Sequence, residues 1–299
     1  MSGVVIVGSL NADLFVEVDA LPQAGETVRG SDLAIRPGGK GANQAAAAAL
    51  LGASVTMVGA VGDDDHGRLL LASAERAGVA TQRIERLPEV ATGTALITVD
   101  GSGENTIVIS PGANGAVAPD QARNGIDAGT AAVGLCLEIP PATVAAAVGR
   151  ATEVGATVVL NLSPYRAVEP EVLADVDVLL VNEIELEQLV GPFDELADAL
   201  TRLAELGVDR TVVTLGEAGA AILDTVAQSS RRVSSPTVEV VDTTGCGDAF
   251  TGGLISRLAA GADLAAAVET AVRVGAYAAT GKGAQPSYPT AAQLAAWQG

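Results

Sequence analysis

The chain reads as an α/β fold, a mainly parallel sheet with helices on both faces. Short apolar runs alternate with helix-length segments along the sequence, which is the rhythm of strand–helix–strand units. Most of those runs are continuously apolar, so both faces of the strands they form must be buried. The 299 residues are 48% hydrophobic but only 2% aromatic. A sizeable core is available, and it must be built from Ala, Val, Leu and Ile.

Taken in order, strands are expected at 4–7, 55–58, 133–139, 157–160, 178–181 and 211–215. Helices are expected at 41–51 and 67–77, each stopped by a glycine, Gly52 or Gly78, suited to the position after a helix end. A third, at 142–154, is opened by Pro140-Pro141 and closed by Gly155. A fourth, at 194–206, ends before Gly207. Ala249, Phe250, Leu254, Ile255 and Leu258 have helical spacing and form a fifth, and the Ala-rich patches 45–49 and 265–267 are helix formers. Asp63, Asp64 and Asp65 read as acids at a helix entry beside the single histidine, His66. Two regions break the rhythm. Residues 14–35 alternate polar and apolar around Pro22, Gly25 and Gly30, and 95–100 and 105–109 flank the hairpin signal Gly101-Ser102-Gly103. They read as a small antiparallel sheet inserted into the main body.

Composition excludes several classes. A net charge of −19 argues against nucleic acid, whose backbone demands clustered Lys and Arg. No run of about 18 apolar residues suggests a membrane span, and the N-terminus lacks a basic, cleavable leader. The expectation is a cytoplasmic protein. Cys136 and Cys246 lie far apart in unrelated contexts, so neither a disulfide framework nor a zinc site is expected. Cys136 sits in an apolar run and reads as a buried small hydrophobe.

The most informative stretch is Asp242-Thr243-Thr244-Gly245-Cys246-Gly247-Asp248, directly ahead of a helix. Small residues at a helix mouth let an anion approach free backbone N–H groups. A carboxylate there can take the proton of a hydroxyl that attacks phosphorus. The same heptapeptide also fits an ordinary glycine-rich loop with a capping Asp. A second stretch is Pro37-Gly38-Gly39-Lys40-Gly41-Ala42-Asn43-Gln44, which opens a helix. It is a poor P-loop, because Gly41 rather than Ser or Thr follows Lys40. Asn11 and Asp13 close the first strand, where open α/β sheets place ligands, or else form a turn. Glu138 follows an apolar strand and needs a partner if it is buried.

Together these stretches resemble the paired signatures of the PfkB-type (ribokinase-like) carbohydrate kinases. The resemblance spans nearly the whole chain and includes Asn11-Ala12-Asp13, Ala91-Thr92-Gly93-Thr94, Pro111-Gly112-Ala113-Asn114, Leu137-Glu138, Asn182-Glu183-Ile184-Glu185, Thr214-Leu215-Gly216 and Lys282-Gly283-Ala284-Gln285-Pro286-Ser287. It implies a ribokinase-like three-layer sandwich over 1–299 as one kinase domain. A β lid would be inserted at about 11–37 and 92–110 and would often serve as a homodimer surface. It implies transfer of phosphate from ATP to the primary hydroxyl of a sugar, D-ribose in the subgroup most alike.

The resemblance also implies the site. Asp248 would be the general base, and Gly245, Cys246 and Gly247 the anion hole, with Cys246 standing where the family prefers Ala, Gly or Ser. Asn11, Asp13, Gly39, Lys40, Gly41, Ala42, Asn43 and Glu138, together with Asp248, would bind the sugar. Asn182, Thr214, Leu215, Gly216, Glu217, Ala218, Gly219 and Gly247 would bind ATP. Asn182 and Glu185 would hold Mg²⁺ through water. Asp242, Thr244, Ala278, Gly281, Gly283 and Ser287 would surround an activating K⁺. Val272 falls where the family usually sets His or Asn beside adenine. The alternatives are another sugar or nucleoside kinase of the family and a non-catalytic sugar-binding regulator.

Overall fold

The computed structural model describes residues 3–299. The chain runs β1 (Gly3–Val7), β2 (Asn11–Glu17), β3 (Ala34–Gly38), α1 (Lys40–Leu50), β4 (Ser54–Gly62), α2 (Asp65–Arg76), β5 (Ala80–Leu87), β6 (Gly93–Val99) and β7 (Asn105–Ser110). It continues with α3 (Pro119–Gly125), β8 (Thr130–Cys136), α4 (Pro141–Val154), β9 (Thr157–Asn161), α5 (Pro170–Leu173), β10 (Val178–Asn182), α6 (Glu183–Val190), α7 (Ala199–Glu205) and β11 (Arg210–Thr214). The last elements are β12 (Ala220–Asp224), β13 (Ser229–Val233), α8 (Cys246–Ala259), α9 (Leu264–Ala279) and α10 (Ala291–Ala296).

Nine strands form the main sheet in the order β13-β12-β11-β10-β9-β8-β1-β4-β5. All neighbours from β11 to β5 are parallel, and β12 and β13 add an antiparallel edge. The continuous apolar runs serve two cores. Val5, Val7, Val133, Leu135, Val158 and Leu160 face one, with α3, α4, α6 and α7. Val4, Ile6, Ala132, Val159, Val178 and Leu180 face the other, with α1, α2, α8 and α9. Period-two alternation within an all-apolar run thus fills both layers. No helix among the described residues is long and apolar enough to cross a membrane.

The second sheet has the order β3-β2-β6-β7. Sequence reasoning expects it to be antiparallel. The outer pairs are, but β2 and β6 are parallel. The strands preceding them, β1 and β5, run in the same direction in the main sheet, so both excursions leave it the same way. Two further expectations shift. The helix expected at 194–206 begins as a 3₁₀ turn, Leu196–Asp198, with Glu195 and Asp198 capping each other's backbone, and becomes α-helical only as α7. The strand expected to reach Ile139 ends at Cys136, which leaves Glu138 free of the ladder.

Candidate active site

The residues singled out from sequence gather where β1, β8, β9, β10 and β11 end, at the carboxyl edge of the sheet. Ligands bind at this edge in open α/β folds. Gly39 turns the chain from β3 into α1 at φ 89°, and a Cβ there would lie 2.6 Å from Asn11 N. Only glycine lets this turn lie against the connection from β1 to β2.

Asp248 sits in the first turn of α8 and is buried. Asn43 Nδ2 donates to its Oδ2 at 3.0 Å, and Gln44 Nε2 donates to its Oδ1 at 3.1 Å. Gln285 Nε2 donates to Asn43 Oδ1 at 3.0 Å, and Ser73 Oγ to Gln285 Oε1 at 3.1 Å, so Asn43 is itself held from a third element. The backbone N–H of Cys246 donates to Thr243 O at 3.2 Å, whereas the Gly245 and Gly247 amides have no acceptor among the described residues. Any anion hole at this helix mouth would therefore rest on Gly245 and Gly247 rather than on the Cys246 amide. Tyr288 Oη steadies the loop by donating to Gly245 O at 3.0 Å.

Asp13 and Glu138 complete a carboxylate triad with Asp248. Burial, reinforced by Glu138 and Asp248 and opposed by Arg36, raises the Asp13 pKa to about 7. Arg36 faces Asp13 across the β2–β3 pair and lies over the Phe15 ring at 4.6 Å. Ser9 Oγ and the Lys40 backbone N–H both donate to Glu138 Oε2, the latter at 3.2 Å. Burial alone would push the Lys40 ammonium down, but Asp248 and Glu138, with smaller help from Cys136 and Glu185, hold it above the ordinary lysine value. Asn11 Oδ1 accepts from Asn114 Nδ2 at 2.7 Å, and Asn114 also bonds both backbone groups of Leu10. These bonds lock the entry into β2, where Asn11 and Asp13 open the second sheet rather than closing the first strand as the sequence suggested. Gly41 packs against Gly8 and Ser9, and Ala42 is buried, so their side of the turn is structural.

A cleft of about 180 Å³ continues from Asp248 past Lys40, Asn182, Glu185, Thr214 and Gly247. Asn182 and Glu185 form a capping box on α6, Asn182 Oδ1 accepting from Glu185 N at 2.8 Å and Glu185 Oε2 from Asn182 N at 2.9 Å. Glu185 Oε1 and Asn182 Nδ2 are left uncommitted beside the cleft. Cationic Lys40 and free amides on one side, with a carboxylate on the other, suit a phosphate chain carrying a hydrated divalent ion. Of the other expected nucleotide residues, Gly216, Glu217 and Ala218 form an exposed turn just beyond Thr214, while Leu215 and Gly219 are buried under it. Val272 is buried in the core on α9.

The loops expected to hold K⁺ converge. Asp242 Oδ1 accepts from Thr244 N and Oδ2 from Gly283 N, both at 2.8 Å. Burial works against ionisation of Asp242, but these bonds outweigh it and hold its pKa below the usual value. Gly281 packs on Ser287, and Ala278 O accepts from Gly281 N at 3.1 Å. Cys246 lies beside this loop. Burial, with Asp242 and Asp248 adding, pushes its thiol up to about 11, away from the nucleophilic thiolate. Cys136 is fully buried, its thiol likewise raised to about 11 by burial, then Glu138.

Sequence reasoning missed Gln44, Arg36, Asn114 and Gln285 as partners of the site. Gln44, Asn114 and Gln285 lie within the recognised motifs, but their contacts span more than a hundred residues. The capping box had a local signal, Asn followed by Glu three residues later at a helix start.

The sequence and the fold are matched by known proteins. The model of the pfkB family of carbohydrate kinases fits residues 1–291. Ribokinase of Bacillus subtilis is 36% identical over 295 residues, 97% of each chain. Deoxyribokinase of Salmonella typhimurium is 34% identical over 302 residues, again 97% of each. The structure of Arabidopsis thaliana ribokinase complexed with ribose and ATP superposes at a TM-score of 0.90 and 30% identity, covering 99% of this chain and 98% of that one. Matched in fold and in sequence over nearly its full length, the chain belongs to the pfkB family of carbohydrate kinases and is a phosphotransferase of the ribokinase type.

Proposed function

We propose that the protein transfers the γ-phosphoryl group of ATP to the 5-hydroxyl of D-ribose, giving D-ribose 5-phosphate and ADP. The observation that carries this reading is the coupling of half-buried Asp13 and Glu138 to buried Asp248, which itself lines a cleft with Lys40, Thr214 and the uncommitted Gly245 and Gly247 amides. Asp13, Asn11 and Glu138 supply the acceptors and donors for sugar hydroxyls, and Gly39, Lys40 and Asn43 complete the wall. Asp248 receives the proton of the 5-hydroxyl as the new O–P bond forms. The P–O bond to ADP breaks, and the leaving charge stays on ADP. Gly245 and Gly247 amides, with the Lys40 ammonium, meet the charge on the transferred group. Mg²⁺ arriving with the nucleotide would neutralise phosphate charge, held by Asn182 and Glu185 through water. ATP as donor fits a cytoplasmic setting.

We further propose K⁺ within the 242–244 and 278–287 loops, where it would order the anion-hole loop without touching phosphate. The second sheet would be the lid. Leu33, Ile35, Leu96, Ile107, Val108 and Ile109 expose apolar surface on it, and such a patch suits a second copy of this chain. A monomer at micromolar concentration in sedimentation would refute the dimer and leave the kinase reading standing.

The deoxyribokinase relative favours one competing substrate, 2-deoxy-D-ribose. The buried polar groups of the sugar site argue for ribose, since a missing hydroxyl leaves a charged acceptor unpaired. That loss costs about 1.5–3 kcal/mol, roughly tenfold to hundredfold in kcat/KM. A kinase assay over ribose, 2-deoxyribose, fructose and adenosine tests the assignment. Ribose should lead; a tenfold lead for any other would overturn the substrate, and no phosphorylation of any would overturn the kinase reading in favour of a sugar-binding regulator.

A further inference from the structure

Two consecutive amides of α1 hold the two oxygens of Asp248, and they are not equivalent. Asn43 is itself anchored through Gln285 and Ser73. Gln44 is fully buried and, among the described residues, makes one side-chain hydrogen bond, to Asp248 Oδ1 at 3.1 Å, and leaves its Oε1 without a partner. A buried carbonyl left unpaired destabilises the fold, and an apolar side chain of the same shape would avoid this. Packing therefore gives no reason for an amide at this position. The carboxylate does: reversing the amide would set Oε1 against Asp248, so the charge dictates which way the group points. The contact is built in by Gly252, one helical turn beyond Asp248. A Cβ there would lie 2.6 Å from Gln44 O and from Ala47 Cβ, so only a glycine lets α1 lie this close to α8.

We infer that Gln44 is a positioning residue for the general base. Together with Asn43 it fixes the plane of the Asp248 carboxylate, so that a remaining lone pair meets the sugar hydroxyl. Two of about four lone-pair sites are taken by the amides, which leaves acceptor capacity for the proton. With one clamp gone the carboxylate can turn about its last torsion, and small misplacements of a reacting group cost up to about a hundredfold in rate. The inference rests on Asp248 acting as the base.

Gln44→Met keeps the shape and removes the donor. It should lower kcat roughly tenfold to hundredfold, leave the ribose KM within about twofold, and hold or raise the Tm. A purely structural role gives the reverse pattern, a lower Tm with unchanged kcat for the folded fraction, and that result would overturn the inference. Should the Met variant not fold, Gln44→Leu carries the test. Its side chain has no donor, so turnover should fall similarly, and wild-type turnover would refute the role. Asp248→Asn, assayed alongside, separates the two claims. If it is inactive while Gln44→Met is fully active, only the positioning role fails; if it is fully active, the base assignment fails and takes this inference with it.

Discussion

Gly252→Ala is the substitution on which helix propensity and tertiary packing disagree most sharply. Gly252 lies inside α8, where Ala is favoured by up to about 1 kcal/mol. The structure opposes that gain. The new Cβ would stand 2.6 Å from Ala47 Cβ, 2.6 Å from Gln44 O and 2.9 Å from Ala48 N. Two of the three are backbone atoms of α1, so no rotamer change relieves the clash. Ordinary contact begins at 3.4 Å, so the helices must separate by about 0.8 Å (3.4 less 2.6). Overpacking of this kind costs roughly 1–3 kcal/mol. Set against the propensity gain, the net loss is roughly 0–2 kcal/mol, a fall in Tm of up to about 4 °C for a chain of this size. The same displacement stretches the 3.0 and 3.1 Å bonds on Asp248 beyond hydrogen-bonding range. Turnover should then fall by about a hundredfold, far more than the stability loss explains. Thermal unfolding and steady-state kinetics on one preparation decide it. A variant with a higher Tm and wild-type kcat would refute the reasoning, because it would mean that the α1–α8 contact neither limits the packing nor sets the base.

Two further outcomes follow from the electrostatics and the loops. Asp13 titrates near 7 in the folded chain, against 3.8 for an ordinary aspartate in water. Its neighbours are Arg36 across the sheet, Glu138 beyond β8, Asp248 on α8 and Tyr288 near the C-terminus. A folded state that holds a proton more tightly than the unfolded chain loses stability as pH rises through that window. The Tm advantage of Asp13→Asn over wild type should therefore grow from pH 4 to about 7 and then level off, and a pH-independent difference would contradict it. Activity at constant ionic strength should rise when K⁺ replaces tetramethylammonium; equal rates would remove the ion from the 242–244 and 278–287 loops.

The central strands were legible because burial on both faces leaves a continuous apolar signature, as in 178–181 and 157–160. The edge strands β5 and β13 were not, and the apolar run of β12, paired on both sides, was passed over. The exposed faces of the two edges carry Arg83, Glu85, Arg86, Arg231 and Arg232, and an edge needs no apolar run. The parallel pairing of β2 with β6 is set by how two distant strands leave the main sheet, which no local pattern encodes. At the site, Asp248, Asp13 and Glu138 stood out because carboxylates at strand ends or helix mouths are chemically conspicuous. Gln44 did not, because an amide in an Ala-rich helix gains its meaning only from a carboxylate 204 residues away. Arg36 was hidden for a similar reason, since its charge matters only once β3 lies beside Asp13.

The central claim is that Asp248 takes the proton from the sugar while other groups bind it. Asp248→Asn keeps the shape of the side chain and removes the base. Turnover with ribose and ATP should fall by roughly 10²–10⁴-fold, while ribose binding by titration calorimetry stays within a fewfold of wild type. Near-wild-type turnover in a folded Asp248→Asn protein would contradict the claim.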